Sequence, residues 1–284
     1  MRSLIRLARF FATHPLTRDA PHKAWMRFAV WQVRSRLYND VTVEWIEGQK
    51  LVARRGMTGA TGNFYTGLHE FSDMMLLLHF LREGDLFLDI GANIGSYSVL
   101  ASGVCGARTV SFEPDPDTAR YLARNIAIND LGKRVTVHRV ALGSHNGETA
   151  FTVGLDSTNR VAAAGAENVR TVPLRRLDDI AGTGGPAMIK IDVEGYEEQV
   201  LDGATDCLGA PSLKLIELET VTPGIQDILA RHGFERAYYD PMSREIGRTP
   251  IGPPASNAVY LRDWDFVGAR LKSGRKIHVL DALV

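Results

Sequence analysis

The sequence predicts an α/β fold, a doubly wound and mostly parallel sheet preceded by an N-terminal extension of helices and a hairpin. Three observations carry this. From Phe71 onward, short apolar runs alternate with helical segments, the pattern of right-handed crossovers onto a parallel sheet covered on both faces. FLDIGANIGSY (87–97) takes an apolar strand directly into an acid, a glycine, an asparagine and a second glycine. The chain has 284 residues, 45% of them hydrophobic and only 12 prolines, enough for one large core or a core with an appendage.

In chain order, MRSLIRLARFFATHPL sets Arg2, Arg6 and Arg9 among Leu4, Ile5, Leu7, Phe10 and Phe11. This pattern suits a self-packed terminal helix, with an amphipathic helix on a membrane surface as the open alternative. It lacks the apolar core and small-residue cleavage site of a secretory signal, and no apolar run approaches the roughly 20 residues that span a bilayer. WMRFAVWQVRSRL (25–37) reads as a helix whose aromatic residues pack. VTVEWI and KLVARR alternate across Glu47-Gly48-Gln49, which predicts a hairpin. GMTGATGNFYTGLHE (56–70) reads as a Gly/Thr-rich loop; its length and Tyr65 suit a wall or lid over a site.

FSDMMLLLHFLREG predicts a helix ending at Gly84. Next come the strand LFLDIG, a helix from about 95, the strand RTVSFEP, a helix over DTARYLARNIAIN, and the strand VTVHRVAL. Beyond an insertion lie MIKIDVEG, a helix over YEEQVLDGATDCL, and LKLIELE. The expected organisation is an extension over 1–66, the α/β domain over 67–262 and a tail over 263–284. Open sheets bind ligands at the carboxyl ends of their strands, which aligns Asp89, Glu113, Ala141, Asp192 and Glu217 or Glu219 along one rim.

The segment after the first of these strands departs from the dinucleotide pattern G-x-G-x-x-G, whose second glycine admits a pyrophosphate. Asn93 stands where that glycine would be, so a nicotinamide oxidoreductase is the poorer reading. A ligand without a diphosphate needs no such clearance. S-adenosylmethionine presents an amino-acid end that Gly91, Asp89 and Asn93 suit, and a ribose diol for which Glu113, roughly 20 residues on, is the expected acceptor. Pro114 then turns the chain. Singly, a glycine after a strand is a turn and an acid there is a helix cap; in this order they favour the cofactor.

HEF (69–71), DIGANIGSYS (89–98), FEPDPDTARYLARNIAIND (112–130), VALGSHNGE (140–148), RRLDDI (175–180), KIDVEGYEEQVLDGA (190–204), LIELE (215–219) and NAVYLR (257–262) resemble the FkbM family of S-adenosylmethionine-dependent methyltransferases. The resemblance covers roughly 65–262. It implies a class I methyltransferase (Rossmann-like) sheet of seven strands with one antiparallel, and O-methylation. It also implies cofactor contacts at Glu70, Asp89, Gly91, Ala92, Asn93, Gly95, Glu113, Pro114 and Ala141. Glu70 rests on the resemblance alone, while a small residue at Ala141 leaves room for a flat base.

Methyl transfer to an alcohol depends on positioning and on a group that takes the hydroxyl proton. Asp192 and Glu194, at the tip of KIDVEG, are the candidate catalytic acids, with Glu194 as general base. Strand alternation puts Lys190 beside them, as a participant or as a structural ion pair. No resident metal is expected; a divalent ion between Asp192 and Glu217 is the less favoured alternative. The insertion ETAFTVGLDSTNRVAAAGAENVRTVPL predicts two extra strands around DSTNR, which makes Asp156, Asn159 and Arg160, with Tyr65, the candidate acceptor contacts. Where the family often carries an asparagine-histidine pair, this chain has Asn159-Arg160, which leaves the acceptor open. His145 reads as a turn residue.

Thirty-three basic and 33 acidic residues balance, so nothing attracts a polyanion over long range and nucleic acid is not an expected partner. Cys105 and Cys207 are the only cysteines, without metal-ligand spacing, which fits a reducing, cytoplasmic setting. Contact with the inner membrane face stays open. The expected activity is O-methylation of a sugar, glycolipid or secondary-metabolite hydroxyl, so the expected partner is a small-molecule or glycan acceptor. The alternative is a non-catalytic scaffold of the same fold that docks a membrane or partner.

Overall fold

A computed structural model describes residues 2–152, 159–162, 168–180, 184–253 and 255–284. The chain begins with α1 (Arg2–Thr13) and α2 (Pro21–Leu37), then the hairpin β1 (Val41–Glu44) and β2 (Lys50–Ala53). The Gly/Thr-rich segment read as a loop contains a helix, α3 (Thr58–Thr66). Its weak helix propensity is overridden by tertiary packing: Phe64 packs on Trp31, Tyr65 packs on Phe11 and Phe28, and Thr66 Oγ1 donates back to the Gly62 carbonyl.

α4 (Phe71–Phe80) leads into β3 (Leu86–Ile90), the centre of the main sheet. The helix stops short of Gly84, which instead supplies a positive φ in the turn before β3. All five β3 residues are buried. Phe87 faces the core layer containing α4, whereas Leu86, Leu88 and Ile90 face the opposite layer, as alternation along a strand covered on both faces requires.

The chain continues through α5 (Ser96–Val99), a π-helical turn over Leu100–Val104, and β4 (Arg108–Phe112). α6 (Pro116–Ile128) starts on an Asp115 cap, whose carboxylate accepts from the Asp117 amide, with Pro116 in the first turn. The run VTVHRVAL, read as one strand, is two. β5 (Val135–His138) ends the main sheet, while β6 (Ala141–Leu142) pairs with the insertion strands β7 (Gly147–Thr152) and β8 (Val169–Arg175) in a separate sheet ordered β6-β8-β7.

After α7 (Leu177–Ile180), β9 (Met188–Ile191) returns to the main sheet. The single helix expected next is broken into α8 (Glu197–Asp202) and α9 (Thr205–Gly209). Gly203 lies at the break, where a Cβ would stand 2.1 Å from the Gly143 carbonyl oxygen. The remaining elements are β10 (Leu215–Leu218), α10 (Pro223–Arg231), β11 (Glu235–Asp240), β12 (Glu245–Gly247), β13 (Ala258–Leu261), α11 (Trp264–Lys272) and the hairpin β14 (His278–Val279) and β15 (Ala282–Leu283).

The main sheet runs β12-β11-β13-β10-β9-β3-β4-β5. Its seven strands from β11 to β5 are those expected, with β13 alone running against the others; β12 adds an eighth at the edge, antiparallel to β11. The order reverses on either side of β3, the switch point at which such sheets form their ligand crevice. The extension is bound to this domain through a shared apolar core of Phe11, Trp31 and Leu51 with Ile94, Val99 and Leu122. The C-terminal segment contributes Val267, Leu271, Ile277 and Val279 to the core around α4.

Candidate functional site

At the switch point a cavity of about 250 Å³ opens above the carboxyl ends of β3, β4 and β9. Of the expected cofactor contacts, Glu70, Asp89, Gly91, Ala92, Asn93, Glu113, Pro114 and Ala141 line it. Gly95 does not: its positive φ and the 2.4 Å between an added Cβ and Leu122 Cδ1 make it a packing position under α6. Gly91 has a similar reason. A Cβ there would meet the Asp192 carbonyl oxygen at 1.8 Å, so this glycine lets the tips of β3 and β9 touch.

Glu113 is held by the backbone. Its Oε2 accepts from the Asn93 amide and its Oε1 from the Asp115 amide, each at 2.9 Å. Asn93 can present its amide because it adopts a left-handed conformation, its own Oδ1 accepting from Ile94 N. Burial pushes the Glu113 carboxyl up to about 8 despite these two donors. Each oxygen keeps a second acceptor position. Asp89 is equally buried and accepts from Ser98 Oγ at 2.5 Å, and Ser98 bonds Ser111 in turn.

A charged layer lies beside it. Burial would lower the Lys190 ammonium, but Asp192, Glu70 and Asp89 hold it above its ordinary value. It donates to Asp192 Oδ2 at 2.5 Å and sits 4.5 Å from the Tyr97 ring centre; Tyr97 donates to Glu70 Oε2 at 2.8 Å. Glu70, placed by resemblance alone, is thus tied to the charged layer by a hydrogen bond. Lys190, Asp192 and Glu194 all line the cavity, the arrangement strand alternation predicts.

Glu219 completes the group. Carboxylate oxygens of Asp192, Glu194 and Glu219 lie within 4.8 Å of one another. Burial and the Asp192 charge raise Glu194, and burial, Asp192 and Glu194 push Glu219 up to about 8. Glu219 shares a hydrogen bond with Asp192, which adds to the upward push on its carboxyl. Glu217, the other acid in the less favoured reading of a divalent ion beside Asp192, is not on the cavity wall. Glu217 is fully buried beside Lys190 and Asp73, its carboxyl is driven upward by that burial, and neither oxygen has a hydrogen-bond partner among the described residues.

The candidate acceptor contacts separate. Asn159 lines the cavity and its Nδ2 donates to Asp115 Oδ2 at 3.4 Å. Arg160 is exposed and off the cavity wall, although its charge reaches Glu194. Tyr65 packs against Phe11 and Phe28, away from the cavity. Asp156 lies outside the described residues. The wall expected over 56–70 is present as α3 and the segment after it, but sequence reasoning did not single out Asn63 and His69 within it, nor Tyr97 and Phe151. His69 stands directly before Glu70, and this adjacency was the available signal.

A family model for the methyltransferase FkbM domain matches residues 89–238, from the acid of β3 into β11. The chain belongs to the FkbM methyltransferase-domain family. The hexuronic acid methyltransferase AglP of Haloferax volcanii is 30% identical over 147 residues, 50% of this chain and 59% of AglP. The 31-O-demethyl-FK506 methyltransferase FkbM of Streptomyces tacrolimicus is 28% identical over 207 residues, 58% of this chain and 78% of that protein. Among solved structures, the methyltransferase FkbM from Methylobacillus flagellatus aligns with a TM-score of 0.42 and 19% identity, over 63% of this chain and 44% of that one. The chain thus spans less than two thirds of AglP and of the Methylobacillus protein. The FkbM-domain match covers Asp89, Glu113, Lys190, Asp192, Glu194 and Glu219, whereas Glu70 and α3, which walls the cavity, precede it.

Proposed function

We propose that this FkbM-family protein is an S-adenosylmethionine-dependent O-methyltransferase acting on a sugar or secondary-metabolite hydroxyl. The observation that carries the reading is Glu113: a buried carboxylate, fixed by two backbone amides, with an unused acceptor position on each oxygen at the cavity wall. A vicinal diol is the ligand group that fills those positions. The residues fit the cofactor, with Glu113 for the ribose, Ala141 and Pro114 beside the base, and Glu70, Asp89 and the Gly91–Asn93 turn toward the amino-acid end. When bound, the cofactor supplies an electrophilic methyl group on a sulfonium.

This chain's own residues supply the rest. Glu194 takes the acceptor proton, its basicity increased by partial burial and by Asp192. Lys190 holds Asp192 in place, and the Asp192–Glu219 pair keeps a negative field on the acceptor side. Asn159 contributes to the acceptor wall, with Arg160 at its outer edge. The names of AglP and the Streptomyces enzyme support a hydroxyl of a sugar or a metabolite. A divalent ion among the acids is the less favoured reading, since Lys190 already provides a cation.

Calorimetry with S-adenosylhomocysteine is the test. Glu113→Ala is expected to weaken binding about 10- to 100-fold, the loss of charge-assisted hydrogen bonds. Glu194→Ala is expected to retain binding and lose transfer. The reverse pattern, or a preference for NAD, would overturn these roles.

Membrane contact forms a second part of the proposal. Met26, Val30, Val33 and Leu37 are exposed at helical spacing on α2, and Leu4 and Ile5 are exposed on α1 beside Arg6 and Arg9. Such a face suits an anionic bilayer, and a glycolipid acceptor would explain it. Among the described residues no helix is long and apolar enough to cross a membrane. Cosedimentation with phosphatidylglycerol vesicles is expected, reduced at least severalfold in a Met26→Glu/Leu37→Glu variant. Equal recovery of wild type and variant removes membrane contact from the reading. Vesicle binding without transfer to any sugar would instead favour a scaffold.

A further inference from the structure

A second groove, of about 680 Å³, begins at Glu219. Because Glu219 also lines the cavity at the switch point, the acids proposed to handle the acceptor proton stand where the two meet. From there the groove passes Asn257 at the head of β13 and follows the face of β11 and β13 beneath α10, with Arg236, Tyr238 and Tyr260 on the sheet side and Gln226 on the helix side.

Two groups in this groove lack a polar partner among the described residues. The Arg236 guanidinium lies between two aromatic rings, 5.5 Å from the centre of Tyr238 and 5.4 Å from that of Tyr260, and among the described residues it makes no ion pair or side-chain hydrogen bond. Asn257 is 5% exposed. Its backbone amide is satisfied by Asp73 Oδ1, yet among the described residues its side-chain Nδ2 has no partner. A buried donor left unmade costs stability, and turning the side-chain amide toward the groove would let a ligand acceptor recover it. Arg236 offers a planar forked donor for a carboxylate, and the half-buried Tyr238 beside it offers apolar surface for the C–H face of a sugar.

The geometry points to this groove as the acceptor subsite, and to a carboxylate-bearing sugar as the unit it holds. Arg236 receives the carboxylate, Tyr238 lies beside the sugar ring, and the Asn257 amide, turned toward the groove, donates to a ring or hydroxyl oxygen. The hydroxyl to be methylated then lies toward Glu219 and the main cavity. This assignment rests on the methyltransferase reading for the reaction, but the groove's recognition chemistry stands on its own residues.

The test is ligand-observed NMR titration with p-nitrophenyl β-D-glucuronide and its neutral partner p-nitrophenyl β-D-glucoside, each with S-adenosylhomocysteine present, with S-adenosylhomocysteine affinity measured separately. The glucuronide is expected to bind at least tenfold more tightly than the glucoside. Arg236→Gln is expected to abolish that preference, leaving glucoside binding, S-adenosylhomocysteine affinity and the melting temperature unchanged. Asn257→Asp, which sets an anion beside the subsite, is expected to weaken the glucuronide more than the glucoside. Equal affinity for both sugars in the wild type, or a preference that survives Arg236→Gln, overturns the subsite while leaving the methyltransferase reading intact. Arg236-dependent glucuronide binding in a protein that does not bind S-adenosylhomocysteine supports the subsite and removes the methyltransferase reading.

Discussion

The two ends of the rim use carboxylates in opposite ways. On the β3–β4 side, Glu113 is clamped by two backbone amides and Asp89 by a serine pair, so each acid has one geometry whatever occupies the cavity. On the β9–β10 side, Asp192, Glu194 and Glu219 are held mainly by one another and by Lys190. A ligand whose shape never changes is suited to the rigid end, where no reorganisation is needed on binding. A reacting hydroxyl needs groups that can exchange a proton, which acids repelling each other in partial burial do well. One end is built for recognition and the other for proton traffic.

Lys190 is where the two ends depend on each other. Its ammonium is 3% exposed and compensates Asp192 directly, with Asp89 and Glu70 close by. Lys190→Met removes the cation from among buried acids and is expected to cost about 3–5 kcal/mol, as breaking a buried pair does. Chemical denaturation at pH 7.5 would measure this, and a loss below about 1 kcal/mol would mean the acids are neutral without it. The destabilisation is expected to shrink at pH 5.5, where more of the surrounding carboxyls are protonated.

How far the sequence reveals this arrangement follows from range. Five strands of the main sheet (β3, β4, β5, β9 and β10) and the acid at the end of β4 are local patterns that periodicity with strand-end chemistry exposes; β11 escapes that reading, and β13 enters only through the resemblance carried by NAVYLR. The helical state of Thr58–Thr66 is not local: glycine and threonine argue against a helix until Trp31, Phe11 and Phe28 are seen to pack on it. Tyr65 goes astray for the same reason, since the side of α3 it occupies is fixed by Phe28 and Phe11, 37 and 54 residues away in sequence. The choice between Glu217 and Glu219 turns on depth. Two residues apart on one strand, they share a face, but Glu217 lies beneath the rim and Glu219 lies on it. Arg236 carries no motif and Asn257 only the first position of NAVYLR; the folded chain is what places them in one groove.

The smallest effect separates the ends by pH. Glu113 is raised from 4.5 to about 8 in the fold, chiefly by burial, so the native state binds a proton that the unfolded chain has released. The stability this gives is fully present below about pH 4.5 and is lost as pH rises through 8. Asp73, raised by burial from 3.8 to about 7, adds to the same slope at lower pH. Ribose hydroxyls donate to an ionised carboxylate, so S-adenosylhomocysteine affinity is expected to increase with pH between 6 and 8, by at most about tenfold per unit. Glu113→Gln is expected to flatten that profile, although it also sets an amide NH₂ against one of two backbone donors and lowers stability at every pH. Glu219→Gln is the contrasting variant: it should alter the pH dependence of stability and of transfer while leaving the pH dependence of S-adenosylhomocysteine binding as it is. Calorimetry from pH 6 to 9 on the three proteins decides the matter, because a Glu219 variant with a flattened binding profile would mean that the two ends of the rim titrate as one unit.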